Sequence, residues 1–105
     1  MINKNNIKIT IGIPSYKRSN YLLRALESLE SQTYKNFTVL VSVNGAENEN
    51  YEYKNLNLNN NSNINFIFQN KNIGILNNHF YLLDKCQTEY FMWLADDDLL
   101  SPTCL

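Results

Sequence analysis

Asp96, Asp97 and Asp98 stand side by side directly after the apolar run Phe91-Met92-Trp93-Leu94-Ala95. Adjacent carboxylates repel one another at neutral pH, and a fold accommodates them with a cation, a helix N-terminus or deep solvation. All-oxygen donors suit a hard ion, so Mg²⁺ or Mn²⁺ is the partner expected if these acids do chemistry. The plainer alternative is the solvated start of a helix, with one Asp capping it and the others favoured by its dipole. Elsewhere, Tyr16, Lys17 and Arg18 follow Pro14 and Ser15, and Asn44 precedes Gly45. An aromatic ring, two cations, an amide and a carboxylate cluster could together hold a base, a ribose and a metal-bound diphosphate. That requires a fold that brings distant segments to one place.

The hydrophobic pattern predicts such a fold. Ile7 to Pro14 reads as a strand that stops where Pro14 removes a ladder donor. Ser19 is a plausible N-cap for a helix whose Leu22, Ala25, Leu26 and Leu29 recur on one face. Phe37 to Val43 is a strand rich in β-branched residues, closed by Asn44-Gly45. A helix is also expected between Glu47 and Leu58, with Tyr51 and Tyr53 covering an outer sheet face. Ile64 to Phe68 is a short strand, and Asn70 to Gly74 a turn. Leu76, Phe80, Leu83 and Cys86 trace the expected packing face of the next helix. Tyr90 to Leu94, apolar throughout, reads as a strand buried on both faces. This alternation predicts an α/β fold: an open, mainly parallel sheet with helices on both faces. In such sheets ligands bind beyond the carboxyl ends of the strands, where the winding reverses. With the first strand central, flanked by the second and the fourth, Ser15 to Arg18, Asn44 and Asp96 to Asp98 line one crevice.

Composition narrows the function classes. The chain has 105 residues, 44% hydrophobic and 12% aromatic, enough for one small domain with a real core. A net charge of −1 gives no basic face for nucleic acid. No apolar run approaches the roughly 20 residues that cross a bilayer, and the polar start shows no signal peptide. Cys86 and Cys104 have neither ligand spacing nor a disulfide pattern, so reduced thiols in a cytoplasmic protein are expected. The glycines do not form a GxGxxG loop; Gly12, Gly45 and Gly74 are scattered, which favours holding phosphate through a metal. His79 has no metal partner spaced to meet it and is expected on the surface or in helix packing. Trp93 is expected in the core.

At this point the chain resembles the nucleotide-binding half of a family 2 glycosyltransferase with the GT-A fold. The likeness is carried in order by Ile11-Gly12-Ile13-Pro14-Ser15-Tyr16-Lys17-Arg18, then Leu26-Glu27-Ser28-Leu29 with Gln32-Thr33-Tyr34. Asn72-Ile73-Gly74 and Tyr90 through Asp98, followed by Pro102, complete it. The resemblance implies that Pro14, Ser15 and Tyr16 approach the nucleotide base, with Tyr16 as the stacking ring, and that Arg18 neighbours the phosphates. It implies that Asp96 and Asp97 match the family's DxD-type motif. Asp96 would meet the ribose or the metal-bound phosphate, and Asp97 would ligate Mn²⁺ or Mg²⁺, with Asp98 behind them or capping a helix.

The donor implied is a nucleotide-diphospho-sugar, a UDP-sugar first, and the acceptor a glycan or a lipid-linked glycan. Residues 1–105 then form a single donor-binding domain. The acceptor site and the carboxylate base of an inverting transfer are expected beyond Leu105, and the chain alone should transfer poorly. Self-association through the truncated face, and work in the cytoplasm or at its membrane face, are further expectations. One departure concerns the base: where the family carries an Asp pair or Asp-Asn after the second strand, this chain has Ser42-Val43-Asn44. Val43 cannot accept a hydrogen bond, so base recognition falls to Asn44 or to backbone. Two alternatives remain: a noncatalytic module that keeps the fold but binds nucleotide weakly or serves as an interaction surface, and a nucleotidyltransferase-like domain, which would need a glycine-rich basic loop absent from Ser15 to Asn20.

Overall fold

The computed structural model describes residues 7–45 and 63–105. The helix expected between Glu47 and Leu58, with Tyr51 and Tyr53, lies outside the described residues. The elements follow the order β1 (Ile9–Ser15), α1 (Ser19–Glu30), β2 (Phe37–Val43), β3 (Ile64–Phe68), α2 (Ile75–Asp84) and β4 (Tyr90–Trp93). The strands form one open sheet in the order β3-β2-β1-β4, parallel at every pairing. The winding therefore reverses between β1 and β4, the arrangement that follows when the first strand is central.

Strand alternation divides the sheet into two chemically different faces. Ile11 and Ile13 of β1 and Val39, Val41 and Val43 of β2 point to one face, where they bury completely with Leu22, Ala25, Leu26 and Leu29 of α1. The 3.6-residue spacing of those α1 side chains builds the main core, each of the three leucines contributing about 1.5–3 kcal/mol on burial. On the other face lie Gly12, Ser42 and Phe91, covered by α2. A Cβ on Gly12 would stand 2.7 Å from the Phe91 ring and 3.2 Å from Leu82 Cβ, so glycine here lets helix and strand close up.

Four expectations need correction. β1 does not stop at Pro14 but runs through Ser15, whose carbonyl accepts from the Asn44 amide at 2.8 Å. Ser19 is the first helical residue rather than the cap: the chain turns through Lys17 at φ 53°, Arg18 takes the N-cap position, and no side chain caps the end. α2 is rotated from the expected packing face. It buries Asn78 and Leu82, while Leu76, Phe80 and Leu83 stay exposed. The cause is polar: the Ser42 hydroxyl pairs with Asn78 Oδ1 at 2.5 Å, and Asn78 Nδ2 donates to the Ser42 carbonyl at 3.0 Å. This buried pairing sets the helix's rotation.

The fourth correction concerns β4, which is not buried on both faces; Tyr90 is exposed and Trp93 is 45% exposed. Among the described residues β4 is the outer strand, so no further strand covers it. Trp93 stands edge-on to Phe91 with ring centres 5.3 Å apart, and its Nε1 donates to the His79 carbonyl at 3.4 Å.

Candidate functional site

The site forms where β1, β2 and β4 end together. β4 continues its pairing one residue past Trp93, since the Leu94 amide donates to the Gly12 carbonyl at 3.0 Å. Leu94 is buried in the core, and the chain then turns, with the Asp98 amide closing on the Ala95 carbonyl at 3.1 Å. Asp96 and Asp97 occupy this turn. No helix follows them through residue 105, so the capped-helix alternative does not apply.

The segment after the acids is anchored from α1. Ser28 Oγ accepts from the Leu100 amide at 3.2 Å. Gln32, 1% exposed, donates through Nε2 to the Ser101 carbonyl at 2.7 Å and accepts through Oε1 from the Leu105 amide at 3.2 Å. The Thr33 amide donates to the Pro102 carbonyl at 2.9 Å. Residues 28–33 thus clamp the chain on the far side of the acidic turn, which gives their spacing a physical purpose.

Asp96 is only 6% exposed, and Ser15 Oγ donates to its Oδ2 at 2.9 Å. The Arg18 guanidinium nitrogen Nη1 lies 3.5 Å from Asp96 Oδ1 and 3.4 Å from Asp97 Oδ2, so one cation faces both carboxylates. Burial pushes the Asp96 carboxyl above its usual range; the Ser15 hydrogen bond and the Arg18 charge pull it back, while the Asp97 charge pushes it further up.

The opposite wall comes from β2 and the turn before α2. Asn44, 3% exposed, accepts through Oδ1 from the Ile73 amide at 2.7 Å. The Gly74 amide donates to Asn72 Oδ1 at 2.8 Å, and Gly74 at φ 90° takes a backbone conformation that suits glycine before the chain enters α2. Asn44 is therefore both a cleft residue and the peg that holds the Asn72-Ile73-Gly74 turn.

Between these walls lies a cleft of about 320 Å³ lined by Pro14, Ser15, Tyr16, Arg18, Asn44, Asp96 and Asp97, with Ile75, Asn78, His79 and Ala95. Of the residues expected on one crevice, Lys17 and Asp98 do not line it, whereas Ser15, Tyr16, Arg18, Asn44, Asp96 and Asp97 do, together with Pro14. Tyr16 stands at the rim, 43% exposed, with the Lys17 ammonium 5.2 Å from its ring centre. Ile75, Asn78 and His79 were not expected there; the rotation of α2 that buries Asn78 also brings His79 to the cleft. His79 Nδ1 bonds the Ile75 carbonyl at 2.8 Å. Among the described residues no group of three or more His, Cys, Asp or Glu side chains converges as a metal site.

Comparison with known proteins turns this geometry into a family assignment. The model of glycosyl transferase family 2 matches residues 10–105. The chain belongs to that family. An uncharacterized glycosyltransferase of Rickettsia conorii is 34% identical over 94 residues, which cover 90% of this chain and 15% of that protein. Among solved structures, S. aureus TarS 1-349 in complex with UDP-GlcNAc superposes with a TM-score of 0.74 at 20% identity, covering 90% of this chain and 28% of that one. The Pyrobaculum calidifontis mannosyltransferase PcManGT, in complex with GDP-Man and Mn²⁺, gives a TM-score of 0.75 at 14% identity, covering 88% and 28%. These likenesses give the family 2 chain its fold, GT-A. The chain spans less than a third of the length of each of these proteins.

Proposed function

We propose that this family 2 chain is the donor-binding part of an inverting glycosyltransferase, residues 1–105 forming one domain that holds a nucleotide-diphospho-sugar with a divalent cation. The observation that carries this reading is the cleft at the β1–β4 reversal, where Pro14, Ser15, Tyr16, Arg18, Asn44, Asp96 and Asp97 meet. Tyr16 at the rim is the ring on which the base stacks. Asp96, fixed by Ser15, would face the ribose or the metal-bound phosphate, and Asp97, with Asp96 beside it, would hold the ion. The neighbours' bound UDP-GlcNAc and GDP-Man support a nucleotide-sugar donor, and a UDP-sugar is our first choice.

The residues present fit a Mg²⁺ or Mn²⁺ ion shared with substrate. Such ions are held by one or two carboxylates, keep several waters and take the remaining oxygens from phosphates, so two adjacent acids suffice without a closed protein site. Bound there, the cation would neutralise charge developing on the departing nucleoside diphosphate. The acceptor, a glycan or a lipid-linked glycan, and the carboxylate that activates its hydroxyl are assigned to the rest of a longer protein. No helix among the described residues is long and apolar enough to cross a membrane. As a separate part of this proposal, the reaction takes place in the cytoplasm or at its membrane face.

Val43 favours a second reading. It is fully buried in the core and offers no polar group to a base, as suits a noncatalytic module that keeps the fold. Calorimetric titration with UDP, GDP and dTDP, each with and without Mn²⁺, separates the two. The donor reading expects one nucleotide to bind with Mn²⁺ present; binding of none would leave the noncatalytic module.

A further inference from the structure

We propose that Arg18 is the donor-free counter-ion of the acidic turn, which the divalent cation displaces and which then closes on the donor's diphosphate. The inference rests on the donor-binding reading above and deepens it. Three observations carry it. A single Arg18 nitrogen stands 3.5 Å from an Asp96 oxygen and 3.4 Å from an Asp97 oxygen, the space between two carboxylates that a bridging cation would occupy. Like charges do not share such a space, so a metal ion that engages both acids must move the guanidinium out. The Arg18 side chain is also 54% exposed and that of Asp97 48%, so the Arg18–Asp97 pairing is screened and readily exchanged, while the Asp96 side chain, 8% exposed, stays fixed.

Displacement does not send Arg18 out of the cleft. It occupies the N-cap position of α1, and the backbone there is tied down because its carbonyl accepts from the Leu22 amide at 2.9 Å. The side chain therefore moves about a fixed base on the cleft wall. A guanidinium carries a planar fork of donors that matches phosphate oxygens, so the diphosphate that arrives with the metal offers it a second partner. Arg18 thus opposes the metal alone and assists the metal with nucleotide. That couples the two ligands: neither binds well without the other.

The test compares the full chain with its Arg18→Gln and Arg18→Lys variants, using Mn²⁺ and UDP as probes. Free Mn²⁺ is followed by electron paramagnetic resonance without nucleotide, and UDP binding by calorimetry at saturating Mn²⁺. With the charge removed, Arg18→Gln is expected to bind Mn²⁺ alone about tenfold more tightly than the unaltered chain, and UDP with Mn²⁺ about tenfold more weakly. Arg18→Lys, which keeps the charge, should resemble the unaltered chain in Mn²⁺ affinity. Unchanged or weaker Mn²⁺ binding by Arg18→Gln overturns the inference while leaving donor binding intact. If the unaltered chain binds none of UDP, GDP and dTDP even with Mn²⁺, the donor-binding reading itself fails, and this inference falls with it.

Discussion

Ser15 Oγ and Asp96 Oδ2, 81 residues apart in sequence, meet at 2.9 Å in a buried hydrogen bond. This bond ties the end of β1 to the turn after β4, the two strand ends between which the winding of the sheet reverses. It fixes one acid of the turn inside the protein while Asp97 faces solvent. The two neighbouring carboxylates consequently have different environments and different expected duties.

Asp96 should make stability depend on pH in a defined direction. Its folded-state pKa lies above the usual value, chiefly through burial. A carboxyl raised in this way contributes favourably below its ordinary pKa, and that contribution is lost as pH rises through the raised one. Asp96→Asn cannot ionise and should unfold at or above the wild-type temperature at neutral pH, the gap closing on acidification through the carboxylate range. Ser15→Ala removes a donor to the ionised form and should cost about 1–3 kcal/mol at neutral pH, less in acid. Thermal unfolding across pH checks both; an Asp96→Asn deficit that persists at neutral pH would contradict the sign.

The rotation of α2 predicts a contrast between adjacent residues. Leu82 is fully buried against β1, and Leu83 is exposed. Leu82→Ala should cost about 2–5 kcal/mol in urea unfolding. Leu83→Ala should stay within about 0.5 kcal/mol of wild type. Equal losses would restore the orientation that the apolar pattern alone suggests.

That contrast marks where the sequence was legible. α1 carries apolar residues on one face only, so Leu22, Ala25, Leu26 and Leu29 could be assigned to the core from spacing. α2 carries Ile75, Leu76, Phe80, Leu82 and Leu83 around much of its circumference, and apolar spacing there admits more than one phase. The deciding group is Asn78, whose partner Ser42 lies 36 residues away on β2. A pairing that distant leaves no local signal, and missing it also hid His79 from the cleft. β4 misled for a related reason: an apolar run signals burial, but strand order decides how much of it the described residues provide. The placement of the candidate site residues was legible on the supposition of a central first strand. Once β1 is central, Ser15, Asn44 and Asp96 must emerge at one end of the sheet.

Self-association should follow from the outer surface of α2 and β4. Leu76, Phe80, Tyr90 and Trp93 are all exposed, an apolar surface that favours pairing in water. Sedimentation velocity of the chain should show a concentration-dependent dimer or larger species. The double variant Leu76→Ser with Phe80→Ser should shift it toward monomer without loss of stability, because neither side chain supports the core. A clean monomer at every concentration would refute this.

The most direct measurement is thermal unfolding of the chain with UDP and Mn²⁺, beside Asp97→Asn. Ligand at about 100 times its dissociation constant adds roughly 2.7 kcal/mol, a clear rise in unfolding temperature for a domain this small. The expected result is a shift that requires nucleotide and metal together and disappears in Asp97→Asn, while the two proteins unfold alike without ligand. A UDP shift of the same size without Mn²⁺, or one that survives in Asp97→Asn, would contradict a donor site organised around the acidic turn.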